Sequence, residues 1–172
     1  MLSVNKKGVD IIKAFEGIED GDPTTVNLDP YLDPLNIWTI GWGHAIYHKG
    51  KLLRGAKNGP VARALYPGGI TLEEAEKLIV DDSSIAAGAI NKLVRVPLNE
   101  NQFSALVSFV FNIGVSAFSG STLLRLLNSD NYKGAAEQFL RWNKGTIDGV
   151  KIVVNGLTNR RHQERNLFLE VI

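Results

Sequence analysis

The chain has 172 residues, 44% of them hydrophobic and 22% charged, and a net charge of +1. That length suits one domain with a sizeable core, and so small a charge selects neither nucleic acid nor a membrane surface as partner. Without a single cysteine there is no disulfide framework, thiolate metal site or cysteine nucleophile, and no apolar run approaches the length that stable membrane insertion needs.

Val9, Ile11, Ile12 and Phe15 share one face at helical spacing, which predicts a first helix over about 5–16, capped by Gly17. Residues 18–30 are acidic and turn-rich, with Asp22-Pro23 and Asp29-Pro30 as breakers. Residues 31–47 alternate and carry β-formers, so a hairpin or short sheet is expected. Residues 48–69 read as loop, through Gly50, Gly55, Asn58-Gly59-Pro60 and Pro67-Gly68-Gly69.

Thr71-Leu72-Glu73-Glu74 is a capping box. The apolar stripe that follows, from Leu72 to about Val94, predicts one helix of roughly 24 residues counted from Thr71, about 36 Å long, enough to join two lobes. Asp82 falls on that stripe and calls for a polar partner. After Pro97, Asn99 and Gln102 open a helix apolar on most sides, closed by Gly114, and central burial is expected for it. Short helices near 121–128 and 132–142 follow, then a small hairpin turning at Asp148-Gly149 and a last helix over about 157–171. The fold class is α+β, mainly α.

Charge is segregated locally. Residues 16–33 hold Glu16, Glu19, Asp20, Asp22, Asp29 and Asp33 without a Lys or Arg. Residues 34–72 hold Lys49, Lys51, Arg54, Lys57 and Arg63 without an acid. Solvated loops of opposite sign account for this. The functional alternative is a cleft wall that draws in an anionic polymer.

Three residues suggest chemistry on a glycosidic bond: Glu16 at a helix end, Asp33 on a strand and Thr39 across the turn. One carboxyl protonates the leaving oxygen, a second activates water and the hydroxyl aims that water. The partial negative charge at a helix C-terminus favours a protonated Glu16, and Phe15 beside it suggests partial desolvation. A hairpin closing through Leu35-Asn36-Ile37 places Asp33 directly opposite Thr39, with Cβ atoms about 4.5–5.5 Å apart. Asp29-Pro30 repeats the Asp-Pro pair but fits this geometry less well. Taken singly, an exposed glutamate, a turn aspartate and a strand threonine are each ordinary. His44, closing the strand motif, is read as a support for the hairpin. Trp38 and Trp42 are read as core, with sugar stacking as the alternative.

Phe15-Glu16-Gly17, Tyr31-Leu32-Asp33-Pro34 and Trp38-Thr39-Ile40-Gly41-Trp42-Gly43-His44 closely resemble the N-terminal signature of phage-type lysozymes, the endolysins of glycoside hydrolase family 24. The segments 71–76, 96–114, 118–124 and 156–165 resemble later parts of the same family, so the resemblance covers most of the chain. It implies a lysozyme-like fold: a single domain over 1–172, with a small β-rich lobe (about 18–70), a larger helical part (about 1–17 and 71–172) and a cleft between. It implies a muramidase that hydrolyses the β-1,4 bond between N-acetylmuramic acid and N-acetylglucosamine, serving bacterial lysis by a phage. By motif, Glu16 is the proton donor, Asp33 the second carboxylate and Thr39 the residue that positions water.

Phe111, Phe118 and Thr122 match cleft-side positions of the family, although core packing is the stronger reading for the two aromatics. Arg161, with Arg160, is a candidate for wall carboxylates or phosphates; an ion pair with Glu164 or Asp82 is the alternative. No metal or cofactor is expected. Expected too are peptidoglycan as partner, no nucleic acid, a monomer, synthesis in the host cytoplasm without a signal peptide, and release to the wall through a holin pore. Asp33 stands further from Glu16 than the resemblance implies, and the excess lies in 19–29; 48–69 is long as well. A noncatalytic wall-binding module on the same scaffold is the alternative, as is nucleic-acid binding by the basic stretch 49–63. The first predicts loss of a site residue and the second a groove-entering motif, and neither is seen.

Overall fold

α1 (Lys6–Glu16) buries Val9, Ile11 and Ile12 and stops at Gly17, whose φ of +70° is the left-handed cap expected there. The structure is a computed structural model that describes residues 1–171. Its chain divides into two compact units, Glu16–Asp82 and the remainder, Met1–Phe15 with everything from Ser83 onward.

The first unit holds the strands. β1 (Tyr31–Leu32), β2 (Trp38–Ile40) and β3 (His44–Ala45) form an antiparallel sheet in that order, and β4 (Tyr47–His48) pairs with β5 (Lys51–Leu52). Residues 48–69 are not all loop: a 3-10 turn (Ala56–Asn58) leads into α2 (Gly59–Leu65). Pro60 breaks nothing there. It sits in the first helical turn, where its missing N–H costs no hydrogen bond. α3 (Leu72–Asp82) closes the unit, and Ala75 joins Trp38, Ile40, Ile46, Leu53, Ala62 and Ile70 in its core.

The expected single long helix is interrupted. α3 ends at Asp82 and α4 runs over Ser84–Leu93. Ser83 between them is buried, with ψ at −9° rather than the helical value near −42°. Consecutive serines offer the backbone rival hydrogen bonds and are frequent sites of helix breaks. The apolar stripe is imperfect too: Leu72 and Ile85 are exposed.

The second unit packs α1 and α4 with α5 (Glu100–Ile113), α6 (Val115–Ser119), α7 (Thr122–Leu127), α8 (Tyr132–Phe139) and α9 (Asn155–Leu169). α5 is its centre. Asn99 accepts from the Gln102 N–H while the Gln102 side chain accepts from the Asn99 N–H, a complete capping box. Residues 103–110 of α5 are all buried. β6 (Lys144–Ile147) and β7 (Val150–Val153) form the expected hairpin, with Asp148 and Gly149 both at positive φ. Among the described residues no helix is long and apolar enough to cross a membrane.

The acidic segment between Glu16 and β1 folds back on itself. The Gly21 N–H donates to the Asp29 carbonyl at 3.1 Å, and Asp20 Oδ1 accepts from the N–H groups of Asp22 and Asp29. Leu28 and Ile70 exchange two backbone hydrogen bonds of 2.8 and 2.9 Å just beyond. The residues between Gly21 and Asp29 are thus looped out beyond a tied neck. Asp29, the rival to Asp33, belongs to this neck and accepts from the Thr25 hydroxyl. A Cβ on Gly21 would lie 1.9 Å from the Pro30 carbonyl oxygen. Gly21→Ala is therefore expected to open the neck and cost about 1–3 kcal/mol, read as a lower thermal midpoint; an unchanged midpoint would show that the neck is not closed this way.

Candidate functional site

Glu16, Asp33 and Thr39 all belong to the strand-bearing unit. Glu16 ends α1 and its side chain is exposed, so the expected desolvation by Phe15 does not occur. Its Oε2 lies 3.4 Å from where a Cβ on Gly43 would stand. Gly43 has φ +77° in the turn between β2 and β3, a conformation that favours glycine, and its bare backbone lets the carboxyl approach.

The hairpin register differs from the expected one. Thr39 lies opposite Tyr31, and the Asp33 N–H donates to the Ile37 carbonyl at 2.9 Å. The turn is Pro34-Leu35-Asn36, one residue earlier than expected, because Asn36 adopts φ +65° and its N–H bonds the Asp33 carbonyl. The pairing has moved by two positions, which preserves the face: Tyr31, Asp33 and Thr39 still share one side. Asp33 is the diagonal neighbour of Thr39, at a Cβ spacing of about 7–8 Å or a little less.

Asp33 is both a turn residue and a site candidate. Its Oδ1 accepts from the Leu35 N–H at 2.9 Å and the Ile37 N–H at 2.8 Å, which fixes the carboxylate, while Oδ2 stays outside this turn network. Thr39 is 4% exposed and its hydroxyl donates to the Ile37 carbonyl at 3.1 Å. With that proton committed, the Thr39 oxygen offers lone pairs to a neighbouring donor such as water.

Tyr31 is the site residue that the sequence argument passed over. Burial raises its phenol above the ordinary value, and the carboxylates of Glu19, Asp33 and Glu16 raise it further; the Gly43 backbone N–H, donating to the oxygen, pulls the other way. The phenol therefore keeps its proton throughout the neutral range. Its place two residues before Asp33, on the same face, was the available signal.

His44 Nδ1 contacts Asp82 Oδ2 at 2.9 Å and Oδ1 at 3.0 Å, tying β3 to the end of α3. This is the support role expected of His44, and it supplies the polar partner that Asp82 required. Trp38 is buried, its indole N–H donating to the Gly55 carbonyl at 2.9 Å.

Two residues expected to touch substrate do not face solvent. Phe118 is fully buried in the core around α5. Arg161 is fully buried as well; its Nε meets Glu164 Oε2 at 2.8 Å and its guanidinium lies 5.1 Å from the Phe109 ring centre. Such an arginine is committed to the fold and unreachable by a wall polymer. Phe111 is half-buried, and Thr122 is exposed and lines a cavity beside Trp142.

A profile of the family described as phage lysozyme matches residues 15–164. The endolysin of Salmonella phage P22 is 40% identical over 169 residues, covering 98% of this chain and 99% of that protein. The endolysin of Bacillus phage B103 is 37% identical over 169 residues, but this chain spans only 54% of its length. Among solved structures, an endolysin from Escherichia coli O157:H7 phage FAHEc1 superposes with a TM-score of 0.77 at 37% identity, covering 98% of this chain and 94% of that one.

Proposed function

Because the chain belongs to the phage lysozyme family, we infer that it is a peptidoglycan muramidase. It hydrolyses the β-1,4 bond between N-acetylmuramic acid and N-acetylglucosamine, in the service of bacterial lysis. What supports this reading is the shared face of Tyr31, Asp33 and Thr39 on the hairpin, with the Glu16 carboxylate, like those of Glu19 and Asp33, close enough to raise the Tyr31 phenol.

Glu16 gives its proton to the leaving glycosidic oxygen. A water donates one proton toward Asp33 and the other to the Thr39 oxygen, which turns its lone pair to the anomeric carbon. As the new C–O bond forms and the old one breaks, Asp33 takes the water's proton. Attack by a held water on the opposite face inverts the anomeric centre. The two N–H groups on Asp33 Oδ1 keep the base from rotating, so Oδ2 is the proton acceptor. A noncatalytic wall-binding module would have no use for this arrangement. The protein acts as a monomer, made in the host cytoplasm and released to the wall through a holin pore.

Purified peptidoglycan is the test. New reducing ends should be N-acetylmuramic acid, and an NMR time course should show the inverted α anomer first. Reducing ends of N-acetylglucosamine would overturn the bond assignment, and a retained β anomer would overturn the held-water step.

A further inference from the structure

A cavity of about 520 Å³ in the helical unit lies where the link after α4 meets α7; it shares Thr122 with the cavity beside Trp142. Two arginines border it: Arg95 in the link and Arg125 in the last turn of α7. Asn128 brings them together. Its Oδ1 accepts from the Arg95 N–H at 2.8 Å, and its Nδ2 donates to the Leu93 carbonyl at 2.9 Å. Asn128 stands three residues after Arg125, so one amide fixes the backbone of Arg95 beside the helical turn that carries Arg125. No Asp or Glu lines the cavity, and no carboxylate pairs with either guanidinium among the described residues. A helix C-terminus favours a cation and accounts for Arg125, but not for Arg95, which lies outside any helix.

Two like charges on one concave surface repel one another and raise the local concentration of an anion. The other lining groups narrow the choice. The hydroxyls of Ser119, Ser121 and Ser129 give their protons to the carbonyls of Ser116, Phe118 and Arg125. Those three oxygens keep lone pairs and suit a ligand hydroxyl, whereas a guanidinium can only donate. A planar carboxylate fills one guanidinium fork. A tetrahedral phosphoryl group presents oxygens in several directions and can engage two. The volume is that of an ordinary small-ligand pocket, with room for a phosphate and the polyol on either side of it. A bare phosphate uses only the arginines; a polyol phosphate uses the serine oxygens as well.

We propose that this cavity binds a phosphodiester of a polyol phosphate chain, with phosphoryl oxygens on Arg95 and Arg125 and polyol hydroxyls on the serine oxygens. At a cell wall such a site tethers the protein to phosphate-bearing polymer beside the glycan it cuts. That setting rests on the muramidase reading; the site itself does not.

Calorimetric titration of the intact chain with a short glycerol phosphate oligomer tests the site without reference to hydrolysis. A polyglycerol of equal length lacks the phosphates, and an oligogalacturonate offers carboxylates in their place. The phosphate oligomer should bind at least about tenfold more tightly than either, with affinity falling as salt rises. Arg95→Gln with Arg125→Gln should weaken it by about tenfold. The thermal midpoint should stay in place, because both side chains are exposed and Asn128 holds Arg95 by its backbone. Lys144→Gln with Lys151→Gln, also exposed, removes the same net charge elsewhere in the unit and should leave affinity unchanged. Inorganic phosphate and phosphatidylglycerol vesicles represent the other sources of a phosphoryl group, and each should bind more weakly per phosphate than the oligomer. Equal binding of polyglycerol or oligogalacturonate, an equal loss in the two variants, or tighter binding of free phosphate or of vesicles would each overturn the proposal. Hydrolysis of glycan stripped of phosphate polymer by the unaltered chain reports on the muramidase reading alone, so the two failures are distinguishable.

Discussion

Glu16→Gln is expected to lower turnover on purified peptidoglycan by about 10²–10⁴-fold, the range that a general acid contributes. Gln keeps the shape and hydrogen-bonding reach of Glu but has no proton to give. The loss should fall on kcat, with KM little changed, because the missing interaction arises only as the leaving oxygen gains charge. The fold should survive, since Glu16 is exposed at the last position of α1 and glutamine keeps its volume. A second readout does not depend on activity. Glu16 is one of the carboxylates that hold the Tyr31 phenol up, so removing its charge should move that phenol's titration downward. Full activity in the variant would reject the proton-donor role. An unmoved Tyr31 would reject the proximity from which that role is argued.

The sequence revealed most where a local interaction writes the structure. Asn99 with Gln102, Gly17, Gly114 and Asp148-Gly149 each mark an element end through backbone or capping chemistry confined to a few residues, and each marks it here. The shared face of Tyr31, Asp33 and Thr39 was legible from alternation, but the pairing was not. It depends on Asn36 taking a left-handed conformation, a choice open to asparagine but not forced on it. The break at Ser83 was hidden for a related reason, because the apolar stripe continues through it and periodicity registers spacing rather than backbone angle. α2 was missed because Gly59-Pro60 signals a turn and a helix start equally well. Arg161 marks the limit of residue-type reasoning. An arginine is usually at the surface; the packing of Phe109 of α5 against it, with the buried Glu164 three residues along its own helix as counter-charge, reverses that expectation.

That buried cluster carries the largest expected effect on stability. Glu164 is fully buried and is the shared counter-charge of two buried arginines. Its Oε1 accepts from Arg160 Nε at 3.1 Å, from an Arg161 terminal nitrogen at 3.1 Å and from the Ser108 hydroxyl at 2.7 Å; its Oε2 faces Arg161 Nε at 2.8 Å. Arg160 also donates to the Ser108 carbonyl at 3.0 Å, so the group joins α9 to the centre of α5. Glu164→Gln preserves volume but removes the anion that two buried guanidinium groups share, and whichever way its amide turns, the N–H₂ meets a guanidinium that can only donate. Removing one partner of a buried ion pair costs about 3–5 kcal/mol, far more than the pair adds over an apolar replacement, because the remaining charge stays desolvated. For a chain of this length that corresponds to a fall of roughly 10 °C in thermal midpoint. Glu137→Gln is the matched comparison in the same unit: its arginine partner, Arg165, and Glu137 itself retain contact with solvent, and the expected cost is about 0–1 kcal/mol. Chemical denaturation of the two variants side by side separates burial from mere charge loss. Equal, small effects would mean that Arg160 and Arg161 are compensated by something other than Glu164, and that α9 is held to α5 by apolar contact alone.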